Sequence, residues 1–177
     1  ECVRYFAAGL EKANRIAHFW FHGDRMIQWL DGRAKVPSGY GRQADPSRLS
    51  EEAAKRFAAD GVPFIRVSRP GVFGSSGQHK DRRLRRESLI VNAAIDALKA
   101  KYDVGRVAIA GQSGGGHVVA SLLALRADIE CAAATSGVVA VRKRSFIRGW
   151  NGRDITGHYD FYDPIQHVAD IAPDTDR

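Results

Sequence analysis

Residues 106–117 read RVAIAGQSGGGH, a short apolar segment followed by a run rich in glycine. The apolar part, 106–110, has the composition of a strand buried on both faces, and residues 117–126 (HVVASLLALR) favour an apolar helix. The segment between them, Gly111-Gln112-Ser113-Gly114-Gly115, matches the pattern G-x-S-x-G, in which a serine occupies a sharp turn from strand to helix. This stretch therefore predicts a strand, a tight turn that carries Ser113, and a helix, in that order.

Strands and helices alternate on both sides of this turn. Segments that favour strands lie at 2–6 (CVRYF), 16–21 (IAHFWF), 62–67 (VPFIRV) and 131–141 (CAAATSGVVAV). A helix from Ser50 to Gly61 and a second over 83–102 show helical spacing of apolar residues. The apolar positions of the second helix are Leu84, Leu89, Ile90, Ala93, Ala94, Ala97 and Leu98. We predict an α/β domain with a mostly parallel sheet and helices on both faces.

The length of 177 residues and an apolar content of 44% fit a single domain over 1–177. From residue 142 onward the alternation gives way to Gly, Asp, Tyr and Pro, with a short helix expected around 164–171. We interpret 142–177 as an irregular segment that caps a pocket or forms its rim. The loops 31–49 and 69–79 are expected to shape the same pocket.

The net charge of +7 comes from 27 Lys and Arg against 20 Asp and Glu, and it raises the question of a nucleic-acid or membrane partner. The excess is local, because 80–86 holds five basic groups and one acid, while 142–153 holds five and none. Aromatic residues are not interleaved with these arginines, and no apolar window is long enough to span a bilayer. We expect no nucleic-acid and no membrane partner. We interpret 80–86 as a solvated helix face, with pairing to acidic substrate groups as the alternative.

Ser113 is the candidate nucleophile of this turn. A serine hydroxyl needs a base to take its proton, and the oxygen that becomes negative on the substrate needs preorganised donors. One donor is the N–H of Gly114, at the start of the following helix, where the helix dipole favours an anion. The loop after 16–21 begins His22-Gly23-Asp24, and we favour the N–H of Asp24 as the second donor, with Gly23 supplying the turn.

Two glycines flank the serine at a distance of two residues. Side chains at Gly111 and Gly115 would collide with the neighbouring strand and helix. Their presence favours a functional turn over a chance match of the pattern.

Three pieces of the chain together resemble the α/β-hydrolase superfamily, in particular dienelactone-hydrolase-like and prolyl-oligopeptidase-like serine hydrolases. They are FHGD (21–24), RPGVFGSSG (69–77) and RVAIAGQSGGGH (106–117), and the resemblance runs from about residue 16 to 141. It implies that Ser113 is the nucleophile, that Gly114 and Asp24 donate the oxyanion N–H groups, and that an ester, amide or peptide bond is hydrolysed through an acyl-enzyme.

The resemblance also implies an Asp or Glu after a later strand and a His near the C-terminus. No strong strand follows residue 141. Asp163 with His167 is the candidate pair within the chain, and the favoured alternative places both groups beyond Arg177. The fold is then an α/β-hydrolase fold that is incomplete at its C-terminus, and the 177 residues alone are expected to be inactive or nearly so.

A second function stays open, that of a non-catalytic α/β-hydrolase-like module that binds a ligand or partner. Nucleotide-binding patterns are absent, because position 113 is serine where G-x-G-x-x-G needs glycine and G-x-x-x-x-G-K-[ST] does not occur. We predict no cofactor, and a small-molecule or peptide substrate. The strand-like start indicates a missing upstream segment, so the compartment, cytoplasmic or exported, stays open.

The remaining chemistry-bearing residues favour structural roles. His18 and His22 are four apart on a strand, a spacing that does not form the helical zinc pair, so no metal is predicted. His117 is expected to pack or cap the helix after Ser113. Trp20 and Trp29 are expected in the core, with pocket lining as the alternative. Cys2 and Cys131 form no metal-binding pair, and a bridge between them stays open.

Overall fold

A five-stranded sheet lies at the centre of the computed structural model, which describes residues 1–11, 14–24, 27–28, 34–35 and 45–173. The strands are β1 (Tyr5–Ala8), β2 (Asn14–Phe21), β3 (Ile27–Gln28), β4 (Ala34–Lys35), β5 (Phe64–Val67), β6 (Val104–Gln112) and β7 (Ile129–Thr135). The helices are α1 (Pro46–Asp60), α2 (Arg85–Tyr102), α3 (Gly114–Leu123) and α4 (Val141–Ile147), with 3-10 helices over His79–Asp81 and Pro164–Asp170.

The sheet has the order β1-β5-β2-β6-β7, and β3 pairs with β4 separately. Strands β5, β2, β6 and β7 are parallel, while β1 runs antiparallel to β5. In register, Phe21 at the end of β2 lies opposite Gly111 of β6, and Gly111 lies opposite Ala134 of β7. The carboxyl ends of these strands therefore meet at one edge of the sheet, as the alternation of strands and helices predicts.

Alternate residues of the strands bury on opposite faces of the sheet. The larger core lies under α2 and α3, where Phe19, Ile65 and Ile109 are fully or almost fully buried. On the other face, Phe6 of β1 packs with Leu49 of α1 in a smaller cluster. Helices thus cover both faces, as predicted.

The first helix begins earlier than the predicted Ser50. The Asp45 carboxylate accepts hydrogen bonds from the Ser47 and Arg48 N–H groups, at 3.0 and 3.3 Å, and Pro46 takes the first helical position. Proline is well suited to that position, because its N–H would be unpaired there in any case. The predicted end is right, since Gly61 closes the helix in a left-handed conformation.

The predicted strand over 131–141 is wrong in its second half. β7 ends at Thr135 because Ser136 turns into the left-handed region, with φ at 52°. The chain then begins α4, where the Asp163 carboxylate accepts hydrogen bonds from the Val141 and Arg142 N–H groups, at 2.7 and 3.2 Å. A side-chain cap from more than twenty residues away carries no local sequence signal.

The predicted apolar face of α2 is also wrong in part. The buried residues of this helix are Glu87, Ser88, Val91, Ile95 and Leu98, whereas Leu89 is 46% exposed. The buried face of α2 therefore differs from the predicted apolar face, because it includes Glu87, a charged residue.

Cys2 and Cys131 are both free and exposed. The expected helix near the C-terminus is the 3-10 helix Pro164–Asp170. Trp29 and most of the loop 31–49 lie outside the described residues. Within the described ranges, no helix is both long and apolar enough to cross a membrane.

Two alanine substitutions in α2 test which face is buried. Ile95→Ala is expected to lower the free energy of unfolding by about 2–5 kcal/mol, because it removes a fully buried side chain. Leu89→Ala, the matched control on the same helix, is expected to change it by less than about 0.5 kcal/mol. Urea unfolding measures both values, and a larger loss at Leu89 would contradict the observed face.

Candidate active site

Four loops meet at the carboxyl edge of the parallel strands. His22-Gly23-Asp24 follows β2, Ser68-Arg69 follows β5, Ser113 follows β6 and Ser136 follows β7. Because these strands are adjacent and parallel, the polar residues after them are brought together without any local sequence relation.

Ser113 lies in a strained conformation between β6 and α3. Its φ of 55° and ψ of −115° fall outside the regions that non-glycine residues favour. Its N–H donates to the Thr135 carbonyl oxygen at 2.8 Å, and its own carbonyl oxygen accepts from the His117 N–H at 3.1 Å. The turn is held from both sides, and strain maintained in this way is common at functional sites.

Glycines allow this turn to pack closely against its neighbours. A Cβ at Gly115 would lie 2.0 Å from the Phe21 carbonyl oxygen of β2, and one at Gly111 would lie 2.4 Å from the Gly115 carbonyl oxygen. A Cβ at Gly23 would lie 3.1 Å from Cβ of Ser113. The loop after β2 therefore lies directly against the serine.

A buried ion-pair network surrounds Asp24. Its Oδ1 accepts from Arg69 Nη1 at 2.6 Å, and its Oδ2 accepts from Arg82 Nε at 3.1 Å and Arg83 Nη2 at 3.0 Å. The Arg69 side chain is fully buried and also pairs with Glu87 at 2.8 Å. Isolated charges would be costly at such depth, so each is tolerated because it is paired.

The network extends to the C-terminal part of the chain. Arg83 Nη1 donates to Asp154 Oδ1 at 2.6 Å, with both side chains almost fully buried. The Tyr162 N–H donates to the Arg83 carbonyl oxygen at 2.7 Å, and Leu84 forms an antiparallel bridge with Phe161. These contacts attach residues 154–162 to the start of α2.

The pKa values within the network follow from this pairing. Burial raises the pKa of the Asp24 carboxyl, but the three arginines around it outweigh burial and hold that pKa far below its ordinary value. The pKa of Glu87 is lowered as well, because burial is outweighed by the charge and hydrogen bond of Arg69. Burial and Arg69 lower the pKa of His79 to about 4, so His79 is neutral near pH 7.

Ser113 opens onto a cleft of about 370 Å³. The described residues that line it are Asp24, Arg83, Ser113, Ser136, Val138, Arg144 and Ile155. Arg144 and Ile155 belong to the segment 142–177, so this segment contributes to the rim of the cleft.

The structure brings most of the predicted site residues together. Gly23 and Asp24 lie beside Ser113 and Gly114, and a Cβ at Gly114 would lie 2.0 Å from Asp24 Oδ1. Gly111 and Gly115 contact each other across the turn. The Asp24 side chain also has a role that we did not predict, since it is the anion at the centre of the ion-pair network.

Asp163 and His167 do not pair with each other. The Asp163 carboxylate accepts from the first N–H groups of α4, whereas His167 Nδ1 lies 3.0 Å from Asp170 Oδ2. The His167 ring stacks on Tyr162 with centroids 4.3 Å apart. Both side chains hold the C-terminal segment in place.

The interpretation of 80–86 as a solvated helix face is wrong for its two central arginines. Lys80, Arg85 and Arg86 are exposed, but Arg82 and Arg83 are each 3% exposed. They precede α2 and turn inward because Asp24 lies opposite them. His117 has the structural role expected of it, since it is fully buried and its Nε2 lies 3.0 Å from the Tyr162 carbonyl oxygen.

The pairs that Arg69 forms with Asp24 and with Glu87 were not predicted from the sequence. One signal was available for the first pair: Arg69 and Asp24 each follow a predicted strand of the same parallel sheet, so their opposite charges are expected at one edge. Glu87 gave no such signal, because it lies in the first turn of a helix, where an exposed acid is common.

No protein-family model and no curated protein matches the chain. Among solved structures, Est1E from Butyrivibrio proteoclasticus, determined with bound ferulic acid, superposes with a TM-score of 0.57 at 18% identity, over 92% of this chain and 57% of Est1E. The Pyrococcus furiosus esterase Pf2001 superposes with a TM-score of 0.57 at 15% identity, over 89% of this chain and 58% of the esterase.

A peptidase is similar as well. The acylaminoacyl peptidase of Pyrococcus horikoshii superposes with a TM-score of 0.59 at 16% identity, over 96% of this chain and 28% of the peptidase. The chain thus has the α/β-hydrolase fold. It spans less than three fifths of the length of either esterase.

Removal of the central anion tests the network. Asp24→Asn leaves three buried arginines without their shared partner and is expected to lower the free energy of unfolding by about 3–5 kcal/mol at pH 7. A lowered carboxyl pKa stabilises the fold above the unfolded pKa of about 4, and this stabilisation is lost as the pH falls further. The variant is therefore expected to lose stability less steeply than the wild type between about pH 5 and pH 2.

Asp160→Asn is the matched control, because the Asp160 side chain is 81% exposed. It is expected to change stability by less than about 0.5 kcal/mol. Urea unfolding across the pH range measures all three proteins. An Asp24→Asn variant as stable as the wild type at pH 7 would contradict the role of the network.

Proposed function

We propose that the protein is a serine hydrolase that cleaves an ester, amide or peptide bond through an acyl-enzyme on Ser113. The observation that carries the proposal is the strained backbone of Ser113, which places a serine between a buried strand and a helix at the edge of a 370 Å³ cleft. The esterase and peptidase folds found by superposition support the same class of reaction.

The N–H groups of Gly114 and Asp24 are the proposed oxyanion donors. Gly114 opens α3, where the helix dipole favours an anion, and the close packing of Gly23 on Ser113 brings the Asp24 backbone near. The Asp24 carboxylate would by itself repel an oxyanion. Its pairing with three arginines cancels that charge, so donors and carboxylate can coexist in one small space.

The described part of the chain offers Ser113 no base through a hydrogen bond. His117 bonds to the Tyr162 carbonyl oxygen, and His22 bonds to the Gly23 carbonyl oxygen. This observation favours the second candidate, an α/β-hydrolase-like module that binds a ligand without cleaving it. The two candidates differ in whether the Ser113 hydroxyl is reactive.

The substrate is proposed to be a small molecule or a peptide. Est1E was determined with ferulic acid, and the Pyrococcus horikoshii protein is an acylaminoacyl peptidase. A cleft of about 370 Å³ is large enough for the reacting part of either kind of compound.

Labelling with a fluorophosphonate tests the nucleophile. The full-length protein is expected to react at Ser113, because an activated serine in an oxyanion site attacks phosphorus, and Ser113→Ala is expected to abolish labelling. With 4-nitrophenyl acetate, the same substitution is expected to lower kcat by at least about 10³-fold.

Ser136→Ala is the matched control, since Ser136 lines the same cleft. It is expected to retain most of the labelling and activity. Labelling that survives Ser113→Ala would show that Ser113 is not the nucleophile. A folded protein that is never labelled would favour the binding module.

A further inference from the structure

The buried arginines and carboxylates around Asp24 are equal in number and pair with one another. One further arginine of the cleft forms no ion pair among the described residues. Three arginines of the network face three carboxylates, and each carboxylate accepts a hydrogen bond from at least one of them. The six residues are Arg69, Arg82, Arg83, Asp24, Glu87 and Asp154. Arg144 also lines the cleft, and none of the ion pairs found among the described residues involves it.

Arg144 is positioned by an aromatic contact and by the anchoring of its helix. Its guanidinium lies over the Trp150 ring, 5.4 Å from the centroid, and its helix is anchored by the Asp163 carboxylate. The side chain is half-buried, so part of its hydration has been removed. A cation in this setting binds an anion more strongly than a fully solvated one does.

We propose that Arg144 binds a carboxylate of the substrate, so that the compounds cleaved at Ser113 carry a carboxylate close to the scissile ester or amide bond. The inference rests on the proposed function, because it assigns the cleft shared by Ser113 and Arg144 to one substrate. Arg144 then determines specificity and takes no part in proton transfer.

The chemistry of the guanidinium favours a carboxylate. One edge of the planar group offers two parallel N–H donors that match the two carboxylate oxygens, and its single charge equals theirs in magnitude. Burial and the neighbouring Arg83 lower the pKa of Arg144, while Asp154 and Asp24 offset part of this effect. A bound anion would add to that offset and relieve the remaining repulsion between the two guanidinium groups.

Two pairs of esters, each matched in shape, test the proposal on the full-length protein. The first pair differs in the acyl part, which is anionic in 4-nitrophenyl hemisuccinate and neutral in 4-nitrophenyl valerate. The second pair differs in the leaving group, which is anionic in 4-acetoxybenzoate and neutral in its methyl ester. The wild type is expected to prefer the anionic member of one pair, and that pair shows on which side of the scissile bond Arg144 lies.

Arg144→Gln is expected to lower kcat/KM for the preferred anionic ester by about 10- to 100-fold and to leave its neutral partner within about twofold. Arg144→Lys keeps the charge, so its kcat/KM for the same ester is expected to fall less. Arg142→Gln is the matched control, because it removes the same charge from the same helix at an exposed position over Phe161. An equal effect of Arg142→Gln would overturn the proposal, because it would show that only the overall positive charge of the helix matters.

Binding of succinate, followed by the fluorescence of Trp150, provides a readout that does not need turnover. Arg144→Gln is expected to weaken binding by at least about tenfold, and Trp150→Phe identifies the signal. If Arg144→Gln does not fold, Arg144→Met, which also removes the charge, is compared with the wild type in the same titration, and unchanged binding and selectivity overturn the proposal.

The two proposals fail in different ways. Esters cleaved with the same selectivity by the wild type and Arg144→Gln, with unchanged succinate binding, would overturn the role of Arg144 and leave the hydrolase intact. Absence of labelling and of hydrolysis, with succinate binding that still depends on Arg144, would overturn the hydrolase and leave the anion site.

Discussion

The pairing of Asp24 with Arg69 joins the parts of the molecule that form the cleft. Asp24 follows β2 and Arg69 follows β5, and the Arg69 side chain is buried completely between them. Glu87 adds the first turn of α2 to the same network, which makes a charged residue part of the buried face of that helix. Because a buried charge without its partner is so costly, these elements have to come together in one arrangement.

The same network attaches the segment after α4 to the sheet, and this segment forms part of the cleft. Arg83 links Asp24 to Asp154, so the segment after α4 is held against the start of α2. Ile155 follows directly in that segment and lines the cleft with Ser113. The serine itself is held by backbone hydrogen bonds and close glycine contacts. Ser113 therefore lies between a rigid turn and a cluster of charges that neutralise one another.

Local patterns were sufficient for the central part of the fold. The apolar segments around Phe19 and Ile109 became parallel strands, and the glycines around Ser113 became a close-packed turn. These features depend on neighbours in sequence. The second half of the strand predicted over 131–141 and the buried face of α2 were predicted wrongly, because they depend on Asp163 and Arg69, which lie far away along the chain.

Local sequence patterns are sufficient to predict the alternation of strands and helices and the position of Ser113 after a buried strand, since hydrophobic periodicity and glycine spacing act over a few residues. The burial of Arg82 and Arg83, beside Arg85 and Arg86 in solvent, depends on contacts between distant parts of the chain. Its cause is electrostatic. An arginine can be buried where a carboxylate lies within hydrogen-bond distance. For Arg82 and Arg83 this carboxylate is that of Asp24, about sixty residues upstream.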